Sequence, residues 1–285
     1  MLKYRLIFGT LMTAFFTAVL LLDGRLVFYT CPELQCNPTH ATLLCGLIAL
    51  LIIPAVMEMS RLAAAKGLTI FKPLAVIFSI ALATAWYWPQ FLIITADKYL
   101  AAVIILAMFA LLARQYFRFG TNNILSNCGA NLLALVYLGL LPAFFVLIDI
   151  ENGTAALLMV IAVVKCTDIG AYTAGTLWGK HKFSPVISPK KTWEGMAGGI
   201  VLATIVSILF AVIFDIMSWF SAVAFAVVLA FIGQLGDLAE SLLKRDSEQK
   251  DASKVVPGFG GLLDVLDSPL AAAPFAYFFL MLFSR

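Results

Sequence analysis

The chain has 285 residues, of which 62% are hydrophobic and only 12% are charged, and its formal net charge is +3. A soluble domain carries roughly a quarter charged residues, so this composition excludes a soluble globular protein. The small net charge gives no reason to expect a nucleic-acid partner. Long apolar runs, several near the length of about 20 residues that crosses a bilayer, instead predict a multi-span membrane protein.

Nine apolar runs follow one another and predict an all-α, polytopic membrane protein with about nine transmembrane helices. The first run, after Lys3 and Arg5, has no small-residue cleavage site before Asp23. It is therefore interpreted as a retained span and not as a signal peptide. The predicted spans are 4–22, 41–58, 73–88, 99–113, 129–149, 155–177, 195–215, 219–240 and 268–283.

The basic residues indicate which ends of these spans face the cytoplasm. With the N-terminus in the cytoplasm, fifteen of the 19 Lys and Arg residues fall on the inner side. The positive-inside rule predicts this asymmetry, and an odd number of spans then places the C-terminus outside. The inner residues are Lys3, Arg5, Arg61, Lys66, Lys72, Arg114, Arg118, Lys180, Lys182, Lys190, Lys191, Lys244, Arg245, Lys250 and Lys254.

Two of the predicted cytoplasmic loops are unlike the rest. Segments 178–194 and 241–267 together hold eight Lys and Arg residues, with Gly, Pro, Ser and acidic residues between them. Ordinary loops need only a few charges for orientation, so these two are interpreted as two sides of one polar site. The sequence then predicts N-terminal transmembrane helices over 1–150, which anchor the chain and form a lipid-accessible cavity, and a catalytic transmembrane region over 151–285.

Two pairs of carboxylates indicate a metal site. Asp237 and Glu240 share one face at i,i+3 spacing if 219–240 is helical. Asp264 and Asp267 have the same spacing at the start of the last helix, where acidic groups also favour the positive end of the helix dipole. Hard cations such as Mg²⁺ take oxygen ligands, so pairs at the ends of adjacent spans suit such an ion.

Basic, hydroxyl and glycine residues beside these pairs suit phosphate oxygens. Glycine lets the backbone approach a phosphate closely and turns N–H groups toward an anion. For 178–194 an alternative stays open, namely a positive-inside loop with Trp193 at the membrane interface. Ser188 or Thr192 either caps the following helix or binds phosphate. The candidate residues are Ser188, Lys190, Lys191, Thr192, Lys244, Arg245, Lys250, Gly258, Gly260 and Gly261.

Lys165 and Asp168 lie one turn apart inside the sixth predicted span. A charge inside a span costs about 2.5–3.5 kcal/mol on insertion scales, so a functional role is the default hypothesis. The alternative is a mutual ion pair that fixes packing. Asp168 lies toward the cytoplasmic end, which favours a site role for Asp168 over one for Lys165.

These motifs resemble those of the phosphatidate cytidylyltransferases, or CDP-diglyceride synthases. The resemblance covers roughly 155–285 and is continuous through the C-terminal block. Phe259 stands where the family commonly has His, and Val265 where it commonly has Arg. The matching segments are 167–172 (TDIGAY), 188–195 (SPKKTWEG), 241–245 (SLLKR), 250–251 (KD) and 257–268 (PGFGGLLDVLDS).

The resemblance implies an enzyme of the bacterial inner membrane with its active site on the cytoplasmic side. Its substrates would be CTP and phosphatidate and its products CDP-diacylglycerol and pyrophosphate, with membrane lipids as further partners. A homodimer is compatible with it. The implied cofactor is Mg²⁺ or another divalent cation, with a second cation allowed.

The resemblance also assigns residue roles. Metal binding falls to three carboxylates, with a fourth as a further candidate, and phosphate binding falls to the basic residues. Asp251 is more suited to orienting Lys250 or Arg245 than to binding metal. The implied metal ligands are Asp237, Asp264, Asp267 and Asp168, and the implied catalytic residues are Asp237, Asp264, Asp267 and Lys250.

Two other functions fit parts of the pattern. Charged residues within spans also occur in secondary transporters, but transporters tend to place them near the midplane of repeated halves. In this sequence the polar groups crowd one side, and no internal repeat is apparent. A CTP-dependent lipid or polyprenol kinase would use similar residues but transfer the γ-phosphate, so product analysis separates it from a cytidylyltransferase.

Overall fold

Helices make up most of the fold. A computed structural model of the chain describes residues 14–24, 28–30, 37–249, 253 and 260–284. Two short antiparallel hairpins pair β1 with β2 and β3 with β4. The elements are α1 (Ala14–Asp23), β1 (Phe28–Thr30), β2 (Asn37–Thr39), α2 (Thr42–Ala65), α3 (Lys72–Ala83), α4 (Ala96–Phe119), α5 (Ile124–Leu135), α6 (Leu141–Trp178), β3 (Lys182–Ser184), β4 (Ser188–Thr192), α7 (Trp193–Ile213), α8 (Trp219–Asp246) and α9 (Leu263–Phe283).

Within this part of the chain, six helical stretches are long and apolar enough to cross a membrane. They are α2, α4, α7, α8, α9 and the run Ile124–Trp178, which includes α5 and α6. Helices α1 and α3 are apolar but shorter. The chain is therefore a multi-pass membrane protein, whereas the count of nine spans and the cytoplasmic N-terminus stay predictions.

The 55-residue run Ile124–Trp178 is not one regular helix. A π-helical segment, Val136–Leu140, joins α5 to α6. Gly153, inside α6, has φ 81° and ψ 166°, a backbone conformation that interrupts the helix and that glycine adopts without a Cβ clash. The predicted spans 129–149 and 155–177 lie on the two sides of Gly153.

The described residues form two compact units. The first contains Met1–Ile150 together with Ser247–Leu263, and the second contains Glu151–Asp246 together with Asp264–Arg285. In the first unit α3, α4 and α5 contribute to one hydrophobic core. Its buried members are Phe71, Leu82, Val103, Ala107, Leu111 and Leu135.

A buried carboxylate in the first unit holds the chain just before α9. The Glu58 side chain, on α2, is fully buried. It accepts hydrogen bonds from the backbone N–H groups of Leu262 (3.0 Å) and Leu263 (2.9 Å) and from the Ser253 hydroxyl. Three donors satisfy a charge that would otherwise be costly inside an apolar core. The sequence pattern did not single out Glu58, because it stands alone at the end of the predicted span 41–58.

In the second unit α6 and α7 pack through glycines. A Cβ atom on Gly170 would stand 2.6 Å from the Gly198 carbonyl oxygen, and one on Gly199 would stand 2.8 Å from the Thr167 carbonyl oxygen. Such distances are too short for any larger residue. Small residues commonly bring membrane helices into this kind of backbone contact.

The two predicted polar loops are shorter than the sequence pattern indicates. Most of 178–194 is the β3–β4 hairpin, in which Lys182 pairs with Thr192. Thr192 then caps α7, because its hydroxyl accepts the Gly195 N–H at 3.1 Å. In the second loop α8 continues to Asp246 and α9 begins at Leu263, so the helices extend into both ends of 241–267.

We expect Glu58→Gln to destabilise the protein. The amide would direct an NH₂ group at backbone donors, leaving a buried donor without an acceptor, at a cost of about 1–3 kcal/mol. Thermal unfolding in detergent should therefore show a lower midpoint. Glu248→Gln is the matched control, because Glu248 is an exposed glutamate of the same unit. Equal midpoints for the two variants would contradict the role assigned to Glu58.

Candidate metal and phosphate site

Three carboxylates of α8 and α9 come together in the second unit. One oxygen each of Asp237, Glu240 and Asp267 lies within 4.8 Å of the other two. Glu240 and Asp267 are buried, while Asp237 is partly exposed. Carboxylate oxygens at these separations suit a hard divalent cation.

A glycine on α8 allows the two helices to meet at this point. A Cβ atom on Gly236 would stand 2.5 Å from the Ala271 Cβ and 2.8 Å from the carbonyl oxygen of Asp267. Any other residue would therefore separate α8 from α9. Because Gly236 adjoins Asp237 in the chain, this close contact also sets the distance between Asp237 and Asp267.

Two lysines occupy the spaces beside the carboxylates. The Lys244 ammonium contacts both Glu240 and Asp264. The Lys191 Nζ lies 2.9 Å from Asp237 Oδ2 and donates to the Gln234 carbonyl oxygen at 3.0 Å. Paired in this way, the charges are tolerated away from water, where an isolated ion would be very unfavourable.

A further ion pair extends the cluster along α6. Lys165 Nζ lies 3.8 Å from Asp168 Oδ2 and donates to the Val265 carbonyl oxygen at 2.7 Å. This hydrogen bond joins the α6 pair to α9 between Asp264 and Asp267. The α6 pair therefore belongs to the same electrostatic cluster.

The net charge of this cluster suits a divalent cation. Five carboxylates face three ammonium groups, so two negative charges remain when all are ionised. In addition, Glu240 Oε1 is buried and has no hydrogen-bond partner among the described residues. The unbalanced charge, the unpaired oxygen and the oxygen donors all fit one divalent ion. The members are Asp168, Asp237, Glu240, Asp264, Asp267, Lys165, Lys191 and Lys244.

The predicted metal ligands have different surroundings. Asp237 and Asp267 meet, and Glu240 joins them, although the sequence pattern pairs Glu240 with Asp237 without assigning it as a ligand. The i,i+3 spacing already placed Glu240 in one of the two predicted carboxylate pairs, and the ligand set implied by the resemblance left it out. Asp264 and Asp168 each face a lysine. The metal-binding roles themselves stay predictions.

The predicted phosphate-binding residues also differ from one another. Lys190 is exposed on β4. Arg245 is exposed at the end of α8, and its Nε lies 3.5 Å from the Ile187 carbonyl oxygen, next to the hairpin. Lys191 and Lys244 are instead held by carboxylates. Ser188 begins β4.

The glycine-rich segment is described only in part. Lys250 and Gly258, and with them Asp251 and Phe259, lie outside the described residues. Gly260 has φ 102°, a left-handed conformation that favours glycine. Gly260 and Gly261 belong to the first unit, so their predicted contact with phosphate stays a prediction.

We expect Gly236→Ala to reduce strongly the cytidylyl transfer that the resemblance implies, because the added methyl group would move Asp237 away from Asp267. Activity should fall at least about 100-fold, since small misplacements of reacting groups have effects of this size. Gly233→Ala is the matched control, because a Cβ there meets only Val164 Cγ1 at 3.5 Å and Ser268 Cβ at 3.7 Å. Equal activity in the two variants would contradict the proposed importance of this helix contact.

Comparison with known proteins identifies a family and several relatives. A sequence model described as the cytidylyltransferase family matches residues 3–283. A phosphatidate cytidylyltransferase of Bacillus subtilis (strain 168) is 38% identical over 190 residues, 65% of this chain and 68% of the relative. One of Staphylococcus haemolyticus is 34% identical over 245 residues, 85% of this chain and 90% of the relative. One of Mycobacterium tuberculosis (strain H37Rv) is 39% identical over 165 residues, 56% of this chain and 49% of the relative.

Proposed function

We propose that this chain, which belongs to the cytidylyltransferase family, transfers the cytidylyl group of CTP to phosphatidate and gives CDP-diacylglycerol and pyrophosphate. The proposal is supported by the names of relatives matched over most of their length. The observation that carries it is the cluster of Asp237, Glu240 and Asp267 within apolar helices, next to several cations. A reaction between a membrane lipid and a nucleotide needs such a site.

The reaction brings two polyanions together. A phosphate oxygen of phosphatidate attacks the α-phosphorus of CTP, and a new P–O bond forms. The bond from that phosphorus to the oxygen bridging it to the β-phosphorus breaks, and pyrophosphate leaves with the electron pair. Catalysis then depends mainly on neutralising charge and on positioning the reacting groups.

We propose that Asp237, Glu240 and Asp267 hold one divalent cation, with Mg²⁺ the natural candidate for all-oxygen ligands. Bound there, the ion would neutralise phosphate charge during the transfer. Lys191 and Lys244 orient the carboxylates by direct contact. Metal binding by Asp264 and Asp168, and the presence of a second cation, stay predictions from the resemblance.

The exposed cations are proposed to bind the triphosphate of CTP. Lys190 on β4 and Arg245 at the end of α8 are exposed, and Arg245 contacts the turn between β3 and β4 through Ile187. A planar guanidinium and an ammonium both suit phosphate oxygens. By the resemblance, Lys250 and Gly258 contribute to the same function.

The orientation is proposed from the charges. We propose nine spans, a cytoplasmic N-terminus and a site that faces the cytoplasm, in the inner membrane of a bacterium. The positive-inside rule and the basic residues of the hairpin and of the α8 end support this orientation. The bacterial origin of the relatives supports the compartment. A homodimer stays a prediction from the resemblance.

An assay with doubly labelled CTP tests the function. Purified protein is incubated with phosphatidate, Mg²⁺ and CTP that carries separate labels on its α- and γ-phosphates. We expect the α-label in the lipid and the γ-label in released pyrophosphate. The γ-label in the lipid would mean a kinase. No labelled lipid from folded protein would contradict the proposal and favour a transporter.

The same assay in sealed membrane vesicles tests the orientation. CTP does not cross a bilayer, so CTP added outside reaches a cytoplasmic site only in inverted vesicles. We expect activity in inverted vesicles and none in right-side-out vesicles until detergent opens them. The opposite pattern would contradict the proposed orientation without affecting the assigned reaction.

We expect Asp267→Asn to weaken metal binding. Losing one of three carboxylates should raise the Mg²⁺ concentration for half-maximal activity by at least about tenfold. The Mg²⁺-dependent rise in the thermal midpoint, a readout that needs no turnover, should weaken in parallel. Asp246→Asn, at the exposed end of α8, is the matched control. An unchanged Mg²⁺ dependence in Asp267→Asn would contradict the metal assignment.

A further inference from the structure

The three lysines of the carboxylate cluster differ in side-chain exposure and in the number of their direct contacts. Only 13% of the Lys191 side chain and 12% of the Lys244 side chain is exposed, whereas 37% of the Lys165 side chain is exposed. Lys191 directly contacts a carboxylate and a backbone carbonyl group, and Lys244 contacts two carboxylates. Lys165 is therefore the most accessible of the three.

Lys165 also keeps hydrogen-bonding capacity. An ammonium group has three N–H donors. Lys165 uses one on the Val265 carbonyl oxygen at 2.7 Å. Asp168 Oδ2, at 3.8 Å, lies beyond hydrogen-bond distance. The described contacts therefore leave donors of Lys165 for another acceptor.

The surroundings of Lys165 argue against a pair that serves packing alone. A structural ion pair inside a membrane span should close to direct contact, because an open pair keeps the cost of both charges. The pair with Asp168 stays open, and Lys165 instead makes its direct contact with the Val265 carbonyl oxygen of α9. Val265 lies between Asp264 and Asp267 in α9, and its aliphatic side chain carries no charge. Lys165 therefore supplies a cation next to this turn of α9.

We propose that Lys165 binds a phosphate group of the substrates at the carboxylate cluster, an inference that rests on the function proposed above. A phosphate oxygen is a charged acceptor that suits the remaining donors of the ammonium. Lys165 precedes Trp178, the last residue of α6, by 13 residues, or about 20 Å of helix. It therefore lies deep along the span, whereas Lys190 and Arg245 lie beyond helix ends or at them.

The phosphate bound by Lys165 belongs either to CTP or to phosphatidate, and the KM values of the two substrates distinguish these cases. Lys165→Met removes the charge and keeps a long apolar side chain, so membrane insertion is not impaired. We expect the KM of one substrate to rise by about 10- to 100-fold, the range for a lost charge-assisted hydrogen bond. A change confined to CTP assigns the nucleotide phosphates, and one confined to phosphatidate assigns the lipid headgroup.

Two further variants distinguish phosphate binding from a structural role. Lys165→Arg keeps the charge and should restore the KM to within a few-fold of the unmodified protein. The double variant Lys165→Met/Val265→Arg removes the cation from α6 and places one on the neighbouring turn of α9. We expect the raised KM of Lys165→Met to fall part of the way back in this variant. Lys182→Met is the matched control, because it removes an exposed lysine of the hairpin. It should leave both KM values unchanged.

A binding measurement makes the test independent of turnover. Equilibrium binding of labelled CTP, and of phosphatidate in detergent micelles, should show the same selective loss in Lys165→Met. Unchanged binding and KM values for both substrates, or a lower thermal midpoint as the only effect, would overturn the proposal. If the unmodified protein makes no CDP-diacylglycerol, the proposed function fails. The binding data would then still decide whether Lys165 recognises a phosphate.

Discussion

Charge compensation inside apolar helices is the constraint on which the candidate site depends. Helices α6, α8 and α9 carry five carboxylates into a region where isolated ions are very unfavourable. Lys191 and Lys244 contact three of these carboxylates directly, and Lys165 lies near a fourth. The two negative charges that remain when all five carboxylates are ionised, together with the unpaired oxygen of Glu240, are the physical basis for assigning a divalent cation to the cluster.

Small residues make this compensation geometrically possible. Helices in a bilayer gain little from hiding apolar surface from one another, so they associate through close packing and polar contacts. Gly236 lets α8 reach the backbone of α9, and Gly170 and Gly199 do the same for α6 and α7. With a larger residue at Gly236, Asp237 and Asp267 would lie too far apart to share one ion.

Two fully buried glutamates illustrate how surroundings decide a role. Glu58, in the first unit, is satisfied by two backbone N–H groups and the Ser253 hydroxyl, so it stabilises the chain that leads into α9. Glu240, in the second unit, contacts Lys244 but keeps an oxygen without a hydrogen-bond partner among the described residues. Both carboxylate oxygens of Glu58 accept hydrogen bonds from the protein, so Glu58 has a structural role. The unpaired oxygen of Glu240 can still bind a ligand.

Composition and local spacing alone determined the multi-pass character and the pairing of Asp237 with Glu240 on one face of α8, because both depend on properties of a single segment. Only the tertiary structure decided that Asp267 joins this pair while Asp264 faces Lys244. It also decided that Glu58 is an anchor. These outcomes depend on distances between side chains of different helices, and spacing along one helix does not encode them.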